Sequence, residues 1–297
     1  MSDDKKCDVV IVNFNAGPYL AEAVRSLETC AAIARIFVVD NASSDDSLAT
    51  LSVSDQSKLV VIKNDENHGF ATACNMGIAS GRSDFILVLN PDCRVESEAI
   101  RRMMAIFETY PNVGMVGPLL LNSDGSEQAG GRRVIPTPDK TFARAVGLLR
   151  LKRFFPKLLS DYALHEEPLP DHPVEVEAIS GACMLVSRAA IDKVGMFDER
   201  YFLHCEDLDW CMRFRQHGYA ILFVPDAKVF HEKGVSSHSR PFATEYHKHR
   251  GMIRFYRKFL RDRYPWYLFY TIVVAVWVRY GIVASTIALS GKSEPKS

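Results

Sequence analysis

Four short apolar runs near the start of the chain constrain its fold most strongly. They are rich in β-branched residues and occupy 8–12, 36–39, 59–62 and 85–89. Between them, segments 19–29, 44–51 and 70–80 carry apolar residues at helical spacing. Strands that alternate with helices form a parallel sheet with helices packed on its faces. The sequence therefore predicts an α/β fold with a mostly parallel sheet.

The regular pattern continues past the fourth run and then fails. A helix is predicted over 96–109 and a strand over 113–116, whereas 118–173 contains glycines and prolines typical of hairpins and long loops. Order returns with strands at 174–179, 183–186 and 220–224 and with a helix that begins at Glu206.

Charge and cysteine content exclude some classes of protein. The 297 residues include 36 basic and 36 acidic side chains, so no overall charge favours a nucleic-acid partner. The seven cysteines form no CxxC pair, which disfavours a disulfide framework or a zinc ribbon and favours a reducing, cytosolic compartment. The polar start leads directly into a strand, so we expect no secretory signal peptide.

Polar residues follow the predicted strands. In an open α/β sheet, ligands bind beyond the carboxyl ends of the strands, which places Asn13, Asp40, residues 64–69 and Asp92 along one rim. The first turn lacks GxGxxG, so a dinucleotide-binding Rossmann domain is disfavoured. Asp40 is as readily structural as functional, although its carboxylate could accept a hydrogen bond from a base or ribose. The turn that ends at Gly69 could present backbone N–H groups to an anion.

Asp92 and His231 could hold a divalent cation. An aspartate in a turn is most often an Asx-turn residue, and a single histidine most often has a structural role. Mg²⁺ on a diphosphate, however, needs only one or two protein carboxylates. A shell of one carboxylate and one imidazole suits Mn²⁺ at least as well. We therefore predict Mg²⁺ or Mn²⁺ bound by Asp92 and His231.

Glu206 and Asp207 are candidate catalytic acids. Their place in a first helical turn has a plain explanation, because acids there interact with the helix dipole by about 0.3–1 kcal/mol. Trp210 and Cys211, however, would surround Asp207 with apolar surface. Such burial raises the pKa of a carboxyl group and prepares it to act as a general base.

Seven polar or glycine-containing segments stand in this order along the chain: VVIVNFN, VVDNASSD, NHGFATACNMG, LNPD, SGACMLVSR, FDERYFLHCEDLDWCMR and VFHEKGVSS. Together they resemble family 2 inverting glycosyltransferases of the GT-A fold, closest to their rhamnosyltransferase-like branch. The resemblance covers roughly residues 7–240 and implies a donor half at about 1–117 and an acceptor half at about 118–240.

The resemblance also implies roles for individual residues. Asp92 stands at the last acid of a DxD-like metal motif, whose first place is taken by Asn90, and His231 reaches the metal or diphosphate. Asp207, beside Glu206, matches the catalytic base. Asp40 recognises the nucleobase end of the donor. The predicted donor site further contains Asn13, Asn15, Asn67, Gly69, Asn75 and Asn90.

The implied reaction is a single inverting displacement. We expect transfer of rhamnose from dTDP-rhamnose to a polyprenyl-diphosphate-linked glycan in cell-surface polysaccharide assembly. Two alternatives stay open. The donor could be another UDP- or GDP-sugar, or the chain could be a non-catalytic membrane-bound subunit that binds a nucleotide sugar or glycan. A mere binder, however, needs no base such as Asp207.

Residues 241–297 form a predicted tail of basic and then apolar character. Seven Lys or Arg and one acid, Asp262, lie between 247 and 263, and 264–278 is uncharged. Arg279 near the middle of the apolar stretch would cost about 2.5–3.5 kcal/mol at the bilayer centre. We therefore expect one helix or a pair of helices that lies in the membrane interface. This tail would attach the protein to the cytoplasmic face of the membrane as a peripheral or monotopic protein. A tilted span and a buried face in a homo-oligomer are the rival interpretations.

Overall fold

The computed structural model describes residues 5–52, 55–135, 137, 164–232 and 241–289. Residues 138–163 of the predicted acceptor half lie outside the described residues. So do residues 233–240, which include the end of the VFHEKGVSS segment, and residues 290–297 at the end of the predicted tail.

A nine-stranded sheet forms the centre of the described structure. Its strands are β1 Cys7–Asn13, β2 Ile33–Asp40, β3 Leu59–Lys63, β4 Phe85–Leu89, β5 Cys93–Val95, β6 Val113–Leu121, β8 Val174–Glu175, β10 Cys183–Ser187 and β11 Ala220–His231. They lie side by side in the order β3-β2-β1-β4-β10-β6-β11-β5, with β8 paired to β11. Strands β1–β4, β6 and β11 share one direction, and β5, β8 and β10 run against it. The shorter strands β7 Arg132–Arg133 and β9 Ala178–Ile179 pair in a second sheet. The α/β prediction is confirmed.

Helices cover both faces of the large sheet. One core contains buried side chains of α1 (Tyr19–Leu27) and α3 (Ala99–Thr109). The opposite core contains those of α2 (Phe70–Ser80), α4 (Arg188–Val194) and α5 (Glu206–Gln216). Because the central strands are buried on both faces, their sequences read as continuous apolar runs.

The parallel register brings the predicted polar strand ends together. Asn13 pairs with Asp40 across β1 and β2, and Ile11 pairs with Leu89 across β1 and β4. Asn90 and Asp92 follow Leu89, so they continue at the same rim. The rim expected from the sequence therefore exists in the fold.

Two local predictions differ from the structure. Residues 44–51 form turns instead of a helix. Side-chain oxygens accept the backbone hydrogen bonds with which a helix would begin: Ser44 N–H donates to Asn15 Oδ1 over 2.8 Å, and Ser47 N–H donates to Asp45 Oδ1 over 3.2 Å.

Strand β6 is longer than predicted, because it continues through Pro118 to Leu121. Pro118, which has no N–H to donate, lies where the register with β11 shifts, as is usual for proline in a sheet.

Two helices follow residue 240. The basic helix α6 spans Pro241–Phe259, and the apolar helix α7 spans Trp266–Leu289 without a break. Phe269, Ile272 and Val276 form the buried stripe of the apolar helix, which belongs to the same core as the basic helix. Its other faces expose large apolar side chains: Trp266, Tyr267, Tyr270, Val274, Trp277, Val278, Ile282 and Leu289. By length and composition this helix could cross a membrane.

Candidate functional site

A cavity of about 360 Å³ opens at the rim of the sheet. Five residues predicted for the site line it: Asn67, Gly69, Asn90, Asp92 and His231. Other lining residues include Phe14, Asn41, Phe202, His204, Thr244 and His247. The rim of the sheet, the loop before α5 and the start of the basic helix therefore share one concave site.

The imidazole of His231 faces the carboxylate of Asp92. Its Nε2 lies 3.2 Å from Asp92 Oδ1. Antiparallel pairing of β5 and β11 aligns His231 with Cys93, next to Asp92. Gln128 holds the other side of the ring, with Oε1 2.6 Å from Nδ1 and Nε2 donating to the backbone carbonyl of His231 over 2.9 Å. Because that amide nitrogen donates to a carbonyl, Gln128 Oε1 accepts from Nδ1–H of His231. In the neutral imidazole, the lone pair is therefore on Nε2.

The donor set at Asp92 fits a divalent cation. Asp92 Oδ1 is buried and receives no hydrogen bond from the described residues, and it faces the Nε2 lone pair of His231. An oxygen and an imidazole nitrogen are suitable ligands for Mn²⁺ or Mg²⁺, and the Gln128 hydrogen bond is the usual support for a metal-bound histidine. Cys93 lies near both groups, but burial raises the pKa of its thiol well above the ordinary value, and Sγ donates to the Ala182 carbonyl.

Asn13, Asn15 and Asp40 stabilise the rim from below the cavity. Asp40 Oδ1 accepts from Asn13 Nδ2 over 2.7 Å, and Asp40 Oδ2 accepts from Ser43 N–H over 3.2 Å. Asn15 Oδ1 accepts hydrogen bonds from the backbone N–H groups of Ser44 and Asp45, in the turn after β2. None of these three side chains is among the cavity lining. Asn13 Oδ1, by contrast, is a buried acceptor with no partner in the described part of the chain.

The start of α2 is not open to an anion as the sequence suggested. Gly69 N–H donates to Asn67 Oδ1 over 2.9 Å, and Phe70 N–H donates to the Phe202 carbonyl over 2.7 Å. Gly69 has φ +84°, and a Cβ there would lie 2.5 Å from the Phe202 oxygen. Only glycine permits this approach. The loop that contains Phe202 therefore covers the helix terminus.

Asn41 is a lining residue that the sequence did not predict. Its Nδ2 donates to Asn67 Oδ1 and to the Gly69 carbonyl from the other side.

Asn75 has a structural task in the described structure. Its Nδ2 donates to the Phe197 carbonyl over 3.0 Å, and its Oδ1 accepts from Phe197 N–H over 3.0 Å. Nδ2 also lies 2.9 Å from Glu199 Oε1. The Asn75 side chain is buried and does not line the cavity. Its hydrogen bonds attach the loop at 197–199 to α2.

Asp207 lies behind the cavity with its carboxylate bound to charged and polar groups. Arg133 donates to Oδ2 in a direct ion pair, and Gly181 N–H donates to the same oxygen over 3.0 Å. The expectation of an apolar surround for Asp207 is therefore wrong. The neighbouring Ala182 carbonyl accepts from Asn90 N–H over 2.8 Å, so a short chain of contacts joins Asp207 to the strand end that carries Asp92.

Arg133 was not singled out by sequence because it follows Gly130-Gly131 in the irregular segment, where no periodicity marks a site. Burial lowers the pKa of the Arg133 guanidinium, but the charge and hydrogen bond of Asp207, with smaller contributions from Cys211 and Cys205, together outweigh burial and raise the pKa. Gln128 comes from the same segment and was missed for the same reason.

Glu206 is the carboxyl group whose pKa is raised. Burial, followed by the negative charge of Asp207, raises its pKa from 4.5 to about 8. Oε2 is buried without a hydrogen-bond partner in the described residues, and Glu206 does not line the cavity. The side chain therefore holds a proton at neutral pH.

The turn before α5 is strained. His204 and Cys205 have φ of +67° and +70°, a region that residues with a Cβ rarely adopt. The basic helix packs directly on this turn, since a Cβ at Gly251 would lie 2.7 Å from the His204 carbonyl oxygen. Burial, and then the charge of Lys248, lowers the pKa of His204 to about 4, so its imidazole in the cavity wall is neutral.

Comparison with known proteins identifies relatives of the chain. The family Glycosyl transferase family 2 matches residues 8–165, which is more than half of the chain. N-acetylglucosaminyl-diphospho-decaprenol L-rhamnosyltransferase of Mycobacterium tuberculosis (strain ATCC 25618 / H37Rv) is 30% identical over 245 residues, which cover 78% of each chain. Low-salt glycan biosynthesis hexosyltransferase Agl10 of Haloferax volcanii is 29% identical and covers 74% of this chain and 64% of its own. The dTDP-rhamnosyl transferase RfbF of Shigella flexneri is 24% identical, with 68% and 61% covered.

Solved structures show the same fold. GalNAc-T7 with UDP, GalNAc and Mn²⁺ aligns with a TM-score of 0.55 and 18% identity over 76% of this chain and 43% of its own. Residues 1–349 of S. aureus TarS in complex with UDP align with a TM-score of 0.51 and 15% identity over 84% and 65%. These structures support a GT-A architecture for the sheet and its helices. The chain belongs to glycosyl transferase family 2.

Proposed function

We propose that this glycosyltransferase moves rhamnose from dTDP-rhamnose to a polyprenyl-diphosphate-linked glycan, with inversion at the anomeric carbon. The observation that carries the proposal is the pairing of Asp92 Oδ1 and His231 Nε2 on the cavity wall, 3.2 Å apart. Such a pair is suited to hold a cation against a sugar diphosphate. Asp207, connected to the same strand end through residues 181–182, supplies a carboxylate.

The names of relatives support the donor and the acceptor. The M. tuberculosis relative is named for an N-acetylglucosaminyl-diphospho-decaprenol substrate and for L-rhamnosyl transfer, and the S. flexneri relative for dTDP-rhamnosyl transfer. UDP-sugar use is the second candidate, because the Haloferax relative is named as a hexosyltransferase and UDP occupies both structural neighbours. We favour dTDP-rhamnose because two of these three relatives are named for rhamnosyl transfer, and one of the two for dTDP-rhamnosyl transfer.

Asp92 and His231 would hold Mg²⁺ or Mn²⁺ through Oδ1 and Nε2. The bound cation supplies positive charge where the departing nucleoside diphosphate gains negative charge. Gln128 keeps the His231 ring in the tautomer that presents Nε2. Asn90 Nδ2 lies 3.4 Å from the same nitrogen, at the place where a DxD motif would have its first acid.

Asp207 acts as the general base in this proposal. Its carboxylate takes the proton of the acceptor hydroxyl while that oxygen bonds to the anomeric carbon and the bond from that carbon to the diphosphate breaks. Arg133 and Gly181 N–H donate to Oδ2, and Leu208 N–H donates to Oδ1 over 2.7 Å, so Oδ1 keeps a further lone pair for the proton. Protonated Glu206 cannot take this proton, so we assign it a supporting role beneath the site.

The exposed apolar helix supports attachment of the protein to a membrane surface. Up to Tyr280 it packs along the basic helix, where Tyr280 contacts Tyr246 and His249. The nine residues beyond it, 281–289, rise about 14 Å, far short of a hydrocarbon core of about 30 Å. We propose a peripheral or monotopic attachment, on the cytoplasmic face where nucleotide sugars are available.

The donor is tested by thermal shift with Mn²⁺ and a series of nucleotides. Because a ligand that binds the native state raises the melting temperature by mass action, dTDP and dTDP-rhamnose should raise it more than UDP, GDP and their sugars at equal concentration. A larger shift with UDP compounds would overturn the rhamnose assignment and leave the glycosyltransferase assignment intact.

Two neighbouring isosteric substitutions test the base. Asp207→Asn keeps the contacts to Arg133 but cannot accept a proton, so turnover should fall by about 10²–10⁴ with little change in donor affinity. Glu206→Gln, the matched control, replaces a group that is already neutral and should retain most of the turnover. Steady-state kinetics at saturating donor measure both. Equal losses of turnover in the two variants would contradict the assignment of Asp207 as the base and Glu206 as a supporting residue.

Glu206 also predicts a pH dependence of stability. A carboxyl whose folded-state pKa is raised from 4.5 to about 8 holds its proton more tightly when folded, so the native state loses stability as pH rises between these values. Glu206→Gln removes this loss. Its melting temperature should therefore exceed that of the wild type by more at pH 8.5 than at pH 5. Glu175→Gln, at an exposed position, should show no such trend. A constant difference across this range would refute a buried, protonated Glu206.

The outer face of the apolar helix predicts the membrane contact. Val274, Val278 and Ile282 are 62%, 57% and 63% exposed, and their joint replacement by Asp should abolish sedimentation with lipid vesicles because charges cannot enter the acyl region cheaply. The matched control replaces Val61, Leu169 and Met196, exposed apolar residues of the catalytic domain, by Asp. Equal sedimentation of the two triple variants would show that the helix does not bind the membrane.

A further inference from the structure

A second and larger cavity, of about 630 Å³, lies between the basic helix, the apolar helix and the loop at 200–202. Its walls carry five cations: Arg200, Arg250, Arg254, Arg257 and Lys258. No acidic side chain is among the residues that line it. We call it the basic cavity.

Two carboxylates, the partly buried Asp198 and the fully buried Asp209, organise some of these cations. Asp198 accepts from Arg200 Nε over 3.0 Å, from Arg254 Nη2 over 2.8 Å and from Lys258 Nζ over 2.9 Å. Lys258 Nζ also donates to Asp209 Oδ2 over 2.6 Å. Burial raises the pKa of Asp198, but these cations outweigh it and hold the pKa well below its ordinary value. The network is therefore fixed and charged at physiological pH, and it stiffens one wall of the cavity.

Arg250 and Arg257 differ from the other cations. Both are exposed, and neither makes an ion pair within the described residues. They are seven residues apart on the basic helix, with Arg254 between them, so the three side chains lie on one helical face that lines the cavity. Unpaired guanidinium groups in a concave, positively charged site concentrate anions, and their planar donors match phosphate oxygens in pairs.

The position of the basic cavity connects the reaction site with the membrane-facing helix. We call the cavity of about 360 Å³ that Asp92 and His231 line the donor cavity. Phe202 and His247 stack with ring centroids 4.3 Å apart, and both line the basic cavity and the donor cavity. The two cavities therefore share one wall. On the other side, Val273 and Trp277 of the apolar helix line the basic cavity. A lipid-linked sugar could therefore place its sugar in the donor cavity, its phosphate group in the basic cavity and its lipid chain along the apolar helix.

We propose that the basic cavity binds the diphosphate group of the lipid-linked acceptor, with Arg250 and Arg257 as its principal donors. The inference rests on the proposed function, which supplies the lipid-linked acceptor. An anionic phospholipid headgroup offers similar phosphate chemistry. The shared wall with the donor cavity favours the acceptor, because its diphosphate is attached to the sugar that must reach the reaction site.

Two charge-matched double variants of the full-length protein test this assignment. Arg250→Gln with Arg257→Gln removes the two cavity cations, and Arg261→Gln with Arg263→Gln removes two exposed cations just past the same helix that do not line the cavity. Titration calorimetry with farnesyl diphosphate, without donor or membrane, measures the site directly. The first pair should weaken binding about tenfold or more, and the second should change it less than threefold.

Vesicles that contain phosphatidylglycerol distinguish the two phosphate sources. We expect the cavity variant to keep vesicle binding within the range of the control variant while it loses farnesyl diphosphate. Loss of vesicle binding in the cavity variant alone, with farnesyl diphosphate retained, would assign the site to a phospholipid headgroup and overturn the proposal. Equal losses of farnesyl diphosphate in both variants would show a diffuse surface effect and overturn it too. Because no nucleotide is present, failure of the dTDP-rhamnose assignment would leave this binding result unchanged.

Discussion

The approach of His231 to Asp92 is the interaction on which the rest of the site depends. It is set by backbone pairing, because β11 runs antiparallel to β5 and aligns His231 with Cys93. Gln128 then fixes the ring so that a nitrogen lone pair faces a carboxylate oxygen within a buried wall. Two such acceptors at 3.2 Å repel each other unless a cation or a proton lies between them. This repulsion is the physical basis of the proposed cation site.

The tail packs against the candidate site as well as exposing an apolar face. The basic helix packs at Gly251 against the strained turn of His204 and Cys205, and that turn leads directly into Asp207. The apolar helix in turn packs on the basic helix through a buried stripe. Contacts thus run without interruption from the exposed apolar helix to the turn before the candidate base.

The sequence predicted the features that depend on local pattern. Apolar runs and their polar ends located the rim, and the resemblance located Asp92, His231 and Asp207, although the roles of these side chains remain proposals. Partners fixed by long-range pairing were not predictable. Arg133 and Gln128 come from an irregular segment, and only the fold brings them to Asp207 and His231. The same limit explains why the raised pKa belongs to Glu206, since burial along a helix face depends on what packs against it.

The pulsed electron paramagnetic resonance spectrum of Mn²⁺ bound to the protein with dTDP tests the central claim most directly. Nitrogen-14 modulation from one imidazole should be present in the wild type, absent in His231→Asn, and retained in His204→Asn, which alters a different histidine of the same cavity. A wild-type spectrum without nitrogen modulation, or one that persists in His231→Asn, would contradict a cation held by Asp92 and His231.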